Sequence, residues 1–161
     1  MALIIEAPNE IYSLENNENF KLFLAGGITN CPDWQSVLLE DIKELPKLTI
    51  YNPRRKDFPI GDPKAAEAQI TWEFIHLLNA DILLFWFARG SLNPIVLLEL
   101  GRYGLSGNRP IIVGVDPQYE RKQDVVIQTQ LSRPDTAIAD SLEEMSEALF
   151  IVMNTLSQWE K

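Results

Sequence analysis

The run Ile82-Leu-Leu-Phe-Trp-Phe87 is the strongest architectural signal in the sequence. Its apolar residues run without the polar alternation of a half-exposed strand. Such a strand is expected where helices cover both faces of a parallel sheet, so it should lie centrally. Immediately after it, Arg89-Gly90 reads as a turn, and a segment of helical period extends from 94 to about 103. Strand, turn and helix in that order form the repeating unit of an α/β fold.

Upstream, Lys21-Leu-Phe-Leu-Ala25 reads as a strand ending in Gly26-Gly27. A helix follows over 34–45, with Val37, Leu38, Ile42 and Leu45 on one face and Asp33 as its N-cap. Residues 48–51 form a second short strand stopped by Asn52-Pro53, and a basic, proline-containing loop leads to a helix over about 65–78. Beyond the Gly107-Asn108 stop, 110–114 reads as a fourth strand and 136–139 as a short fifth. Residues 142–158 form a closing helix capped by Asp140 or Ser141. Residues 2–7 could add an edge strand. The expected architecture is a single doubly wound α/β domain over 1–161, flavodoxin/Rossmann-like, with about five parallel strands flanked by helices. Its ligand site should lie at the carboxyl ends of the strands, near a topological switch point.

Composition agrees with one folded domain: 161 residues, 46% hydrophobic and 23% charged, with 8 Gly and 10 Pro. Fourteen Lys+Arg against 23 Asp+Glu leave a net charge of -9, a field that repels phosphate backbones and anionic headgroups. Neither nucleic acid nor a membrane is therefore an expected partner. Cys31 and His76 are the only cysteine and histidine, so one chain can assemble neither a disulfide framework nor a Cys/His zinc site. No metal and no cofactor are expected. The longest apolar run, 82–88, is far short of the roughly 20 residues of a membrane span, and Met-Ala-Leu-Ile-Ile-Glu lacks a basic leader. The expected location is cytoplasmic.

Four segments could carry chemistry. On the helix from Pro94, capped by Asn93, the apolar residues Ile95, Val96, Leu97, Leu98, Leu100 and Tyr103 spread around nearly the whole circumference, which predicts a helix enclosed by protein. Glu99 sits inside that ring, where burial would raise its pKa. The bland alternative pairs it with Arg102 or lets it reach solvent past Tyr103. In Gln69-Ile-Thr-Trp-Glu-Phe-Ile-His76, the residues Gln69, Trp72, Glu73 and His76 share a stripe. An indole beside an acid and an amide could bind and protonate a heteroaromatic ring; alternatively this is a helix edge with Trp72 packed and Glu73 facing solvent or His76. His76 reads as a half-buried helix residue rather than a base, since no nucleophile motif accompanies it. Gly26-Gly27 would let backbone approach a ligand, although the dinucleotide and P-loop spacings are missing. Arg54-Arg55-Lys56 could hold a phosphate or pair with surplus carboxylates.

Taken together, Phe23-Leu-Ala-Gly-Gly-Ile, Tyr51-Asn-Pro-Arg-Arg, Trp72-Glu73 ahead of Asp81, and Leu98-Glu99-Leu-Gly101 resemble the nucleoside 2-deoxyribosyltransferase family, in its branch with the N-P-R-R element. The resemblance runs from about 21 to 115 and implies transfer of a 2-deoxyribosyl group between nucleobases by double displacement. Glu99 then matches the family's nucleophile, which attacks C1′ and forms a glycosyl-enzyme. Glu73 aligns with its acid/base aspartate, which protonates the departing base and deprotonates the incoming one. Gly26, Gly27, Ser91, Asn93, Trp72 and Arg54 are the candidate substrate-binding residues. Asn93 stands where transferases of this kind usually carry an aspartate that binds sugar hydroxyls, a change expected to alter preference there.

The implied partners are a small-molecule 2′-deoxynucleoside and a nucleobase, and the implied assembly is a homo-oligomer in which a neighbour closes the pocket. No residue of 157–161 matches the family's closing segment. A helix starting as early as Pro63 would sink Glu73 almost three turns below the strand ends, too deep to meet Glu99, so the reading expects a start nearer Ala66 or a deep pocket. Two other functions stay open. One is an N-glycoside hydrolase of nucleosides or their 5′-monophosphates, although the arginine-bearing phosphate loop of such relatives is here Gly26-Gly-Ile-Thr-Asn30. The other is a non-catalytic nucleotide sensor on the same fold.

Overall fold

The computed structural model describes residues 1–9 and 18–159, apart from the Trp159 side chain; Glu160 and Lys161, at the end of the C-terminal segment considered above, lie outside the described residues. In chain order the elements are β1 (Leu3–Glu6), β2 (Phe20–Gly26), α1 (Trp34–Ile42), β3 (Leu48–Asn52), α2 (Pro63–Asn79) and β4 (Ile82–Phe87). Then follow α3 (Pro94–Glu99), a π-helical turn (Leu100–Gly104), β5 (Ile111–Val115), α4 (Lys122–Ser132), β6 (Ile138–Ala139) and α5 (Leu142–Trp159). All strand pairs are parallel, in the order β1-β3-β2-β4-β5-β6. This is the expected doubly wound, flavodoxin/Rossmann-like sheet. Among the described residues it has six strands rather than about five, because β1 pairs with β3 along its whole length, from Leu3 opposite Thr49 to Glu6 opposite Asn52.

Every residue of β4 is buried, as an apolar strand with helices on both faces must be. Alternation along the strands divides the core in two. Leu22, Leu24, Leu84 and Trp86 face α1 and α5, where Leu38, Ile42, Met145 and Leu149 meet them. Phe23, Ala25, Phe85 and Phe87 face α2, α3 and α4 through Trp72, Leu77, Val96 and Val125. Asp33 caps α1 by accepting from the Ser36 N–H at 3.2 Å, and Ser141 accepts from the Glu144 N–H at 3.2 Å at the start of α5.

The sequence pattern assigns no element to 122–132, and three expectations about the helix from Pro94 need correction. α4 is a helix whose residues carry no apolar stripe: Val125 and Thr129 are its buried positions, too few to register as a helical period. α3 is not enclosed all round; Val96, Glu99 and Leu100 are buried, whereas Ile95 and Leu98 are 60% and 63% exposed. It is also shorter than 94–103, because the Leu105 N–H reaches back to the Leu100 carbonyl at 2.9 Å and opens the last turn into π geometry. Asn93 does not cap α3 with its side chain; it sits in the left-handed region with φ 48°.

From β2 the chain crosses to β3 on one side, and from β3 it returns through α2 to β4 on the other, so the carboxyl ends of β2 and β4 form the switch point. Trp34 buttresses that point from below. Its Nε1–H donates to the Gly27 carbonyl at 3.0 Å, and its ring lies so near Gly26 that a Cβ there would come within 2.2 Å of Cζ2. Trp34→Phe strands a buried carbonyl and leaves a gap, so it should cost about 1–3 kcal/mol, read as a lower urea midpoint by circular dichroism.

Candidate active site

A cleft of about 290 Å³ opens at this switch point, and Gly26, Gly27, Ser91, Asn93, Glu73 and Glu99 all line it. Each reaches the cleft for a local reason. Gly27 must lack a side chain, because a Cβ would sit 1.9 Å from Asn93 Oδ1 and 2.4 Å from Cys31 Sγ. Asn93 is clamped in place: its Nδ2 donates to the carbonyls of Ala88 and Ser91, each at 3.1 Å, and its Oδ1 accepts from the Cys31 thiol at 3.2 Å. Both amide hydrogens are thereby used, so toward a ligand this residue offers an acceptor oxygen. The Ser91 hydroxyl accepts from the Asn93 N–H at 3.3 Å, which fixes the tip of the same loop.

Glu99 ends α3 on its buried flank, 9% exposed. It has no ion pair with Arg102, whose guanidinium instead lies over the rings of Phe74 and Tyr103 at 5.3 and 5.1 Å. Burial first, and the negative charge of Glu73 second, push the Glu99 carboxyl up to about 8. Glu73 is raised as well by its own burial, opposed by a hydrogen bond from Gln69. The Gln69 Nε2 group donates to Glu73 Oε1 at 2.7 Å and to the Pro53 carbonyl at 2.8 Å. Burial thus makes both carboxyls harder to ionise than free ones, which suits acid/base work.

The helix carrying Glu73 does begin at Pro63, behind the Asp62 cap, yet both acids line one cleft. The depth expected from counting turns is met because the cleft descends between α2 and α3, with Phe23 and Val96 on its walls. The stripe on α2 divides, however. Gln69 and Glu73 face the site, whereas Trp72 turns to the sheet, 2% exposed, with its Nε1–H donating to the Asn9 carbonyl at 3.0 Å. Half-buried His76 stacks on it at 4.1 Å. Trp72 is absent from the cleft wall because one residue of helix rotates a side chain by about 100°, enough to separate it from Glu73.

Arg54 also stands behind the wall. Its Nε meets Gln35 Oε1 at 2.8 Å and Asp33 Oδ1 at 3.2 Å, and it donates to the Pro32 carbonyl at 3.0 Å. This arginine ties the loop after β2 to the loop after β3, the pairing with surplus acid that its alternative reading expected. Thr29 and Pro53 line the cleft without having been singled out in the sequence. Thr29 follows β2 at the switch point, and Pro53 follows β3 within the N-P-R-R element. Among the described residues, no three His, Cys, Asp or Glu side chains gather to hold a metal ion, and no helix is long and apolar enough to cross a membrane.

No curated protein matches the chain. Among solved structures, one described as a conserved protein from Enterococcus faecalis V583 is similar, with a TM-score of 0.56 and 15% identity, covering 81% of this chain and 96% of that one. That likeness shows the fold. Residues 19–119 match the family described as nucleoside 2-deoxyribosyltransferase like, a span that contains both carboxylates and every cleft residue named above. The chain belongs to the nucleoside 2-deoxyribosyltransferase-like family.

Proposed function

We propose that this protein transfers a 2-deoxyribosyl group from one nucleobase to another through a covalent bond to Glu99. Its family supports a nucleoside-directed glycosyl transfer or hydrolysis role. The observation that carries the finer reading is the pair of buried acids on one cleft, with Glu99 pushed up to about 8 partly by Glu73. In the reactive form the single proton of the pair rests on Glu73 and the charge on Glu99. A Glu99 oxygen bonds to C1′ as the bond from C1′ to the base nitrogen breaks, and the Glu73 proton passes to that nitrogen. An incoming base then surrenders its proton to Glu73 and displaces Glu99 from C1′, which restores both groups. Gln69 holds Oε1 of Glu73 and leaves its other oxygen to handle the proton. A sugar without its 2′-hydroxyl suits this chemistry, since an electron-withdrawing oxygen there would oppose positive charge at C1′.

The test is chromatography of 2′-deoxyinosine with and without excess adenine or cytosine. A new deoxynucleoside should appear only with the acceptor, and Glu99→Ala should abolish it. Glu73→Gln should slow exchange by about 10²-fold or more, the usual worth of a positioned acid/base. Hypoxanthine released equally fast without acceptor would make the protein a hydrolase, and binding without turnover would make it a sensor.

Acidity gives a second check. Above pH about 8 the pair loses its shared proton, so kcat/KM should fall there, and it should fall again in acid when both groups are protonated. Stability follows the same titration with a definite sign. Unfolded, Glu99 ionises near its ordinary 4.5; folded, it keeps its proton to about 8, so the native chain binds more protons between those limits. Stability should therefore decline as the pH rises across that window. Glu99→Gln should melt higher than the wild type by a margin larger at pH 8 than at pH 5, measured by thermal unfolding.

Asn93→Asp should cost about 1–3 kcal/mol in a urea titration, because it removes both amide donors and sets a charge against the Ala88 and Ser91 carbonyls.

A further inference from the structure

The cleft does not end at the two acids. Beyond them lies an apolar groove of about 670 Å³ between α2, α3 and the loop after β3, and Glu73, Glu99, Ile28, Thr29, Pro53 and Ile95 line both spaces. The two ends differ in chemistry. The cleft presents the glycine-ended strand, Ser91 and Asn93, groups suited to sugar oxygens. The groove presents Phe58, Ile70, Phe74, Leu98 and Tyr103, faces suited to a planar ring. A glycosidic bond lying at the shared carboxylates thus puts its sugar in the cleft and its base in the groove.

Two arginines, Arg55 and Arg102, also line the groove. Of the seven arginines in the chain, Arg54, Arg89 and Arg121 each meet an aspartate, and Arg109 and Arg133 donate to backbone carbonyls. Arg55 and Arg102 alone have neither kind of partner among the described residues. Each lies over an aromatic ring instead, Arg55 5.3 Å from the centroid of Phe58 and Arg102 5.3 Å from that of Phe74. Stacking occupies a guanidinium's face and leaves its N–H edge open, the geometry that forks a carboxylate or phosphate. In a chain of charge -9, these two uncommitted cations share the groove with Glu73 and Glu99.

We propose that this groove is a subsite for a base carrying an anionic substituent, whose ring packs on the aromatic walls and whose anion is held by Arg55 and Arg102. The inference rests on the transfer reading above for which end is which. It makes the preferred leaving or accepting base an acidic heterocycle rather than a neutral one.

Calorimetric titration with 5-carboxyuracil and with thymine tests it, since the two differ only in carboxylate against methyl on one ring carbon. The carboxylate should bind about tenfold or more tightly, as expected of a charge-assisted hydrogen bond, and lose that margin in Arg55→Gln/Arg102→Gln and at high salt. Thymine binding should be unchanged in the variant. Equal affinities, a margin that survives in the variant, or no binding of 5-carboxyuracil would each overturn the proposal. A parallel titration compares 2′-deoxyuridine with its 5′-monophosphate; a phosphate preference erased by the same variant would assign the arginines to the sugar end and overturn it too. Binding needs no turnover, so absent exchange with a retained margin would sink the transfer reading alone. Exchange of neutral bases without the margin would sink only this one.

Discussion

Two strand ends approach one another at the switch point only because residue 27 has no side chain. With a Cβ 1.9 Å from the Asn93 amide, the loops after β2 and β4 could not close to this distance. Trp34 holds the Gly27 carbonyl from beneath, and Cys31 and the Ala88 carbonyl hold the Asn93 amide from the sides. The polar half of the cleft is therefore a set of mutually fixed groups resting on a buried sheet. Little side-chain entropy remains to be lost when a ligand arrives.

The acidic half works against that stability. A carboxyl on the buried flank of α3, within the field of another, costs folding free energy whenever it is charged. The chain keeps it on a helix anchored by Val96 and Leu100, both nearly inaccessible, and steadies the second acid through Gln69 and the Pro53 carbonyl. Rigid neighbours and an unfavourable charge are the pattern of a site that trades stability for reactivity.

Most of the frame was legible because the signals were strong and local. The unbroken apolar run at 82–87 placed the central strand, and glycines, prolines and caps marked the ends of most elements. Glu99 stood out as an acid amid apolar neighbours. What sequence pattern could not resolve was direction. Gln69, Trp72 and Glu73 fall within one broad helical sector, and only the packing of Phe23 and Tyr51 around Trp72 assigns the indole to the core, at 6.1 Å from each ring. Arg54 and Arg55 are adjacent and chemically identical, yet one braces two loops and the other borders the groove; no pattern in a single sequence separates them. The helix α4 was invisible because its buried side is two residues wide.

The wide turn after Glu99 separates two registers on one stretch of chain. An α-helix continuing through 100–104 would lock the azimuth of Arg102 and Tyr103 to that of Glu99, so any change in one would swing the others. With its extra residue per turn, the π segment acts as a phase joint. Glu99 keeps its orientation from α3, while Arg102 and Tyr103 on the groove wall take theirs from the turn leading into β5. Gaining or losing one residue in this turn would thus re-aim the groove wall at Arg102 and Tyr103 without disturbing the Glu99 carboxyl.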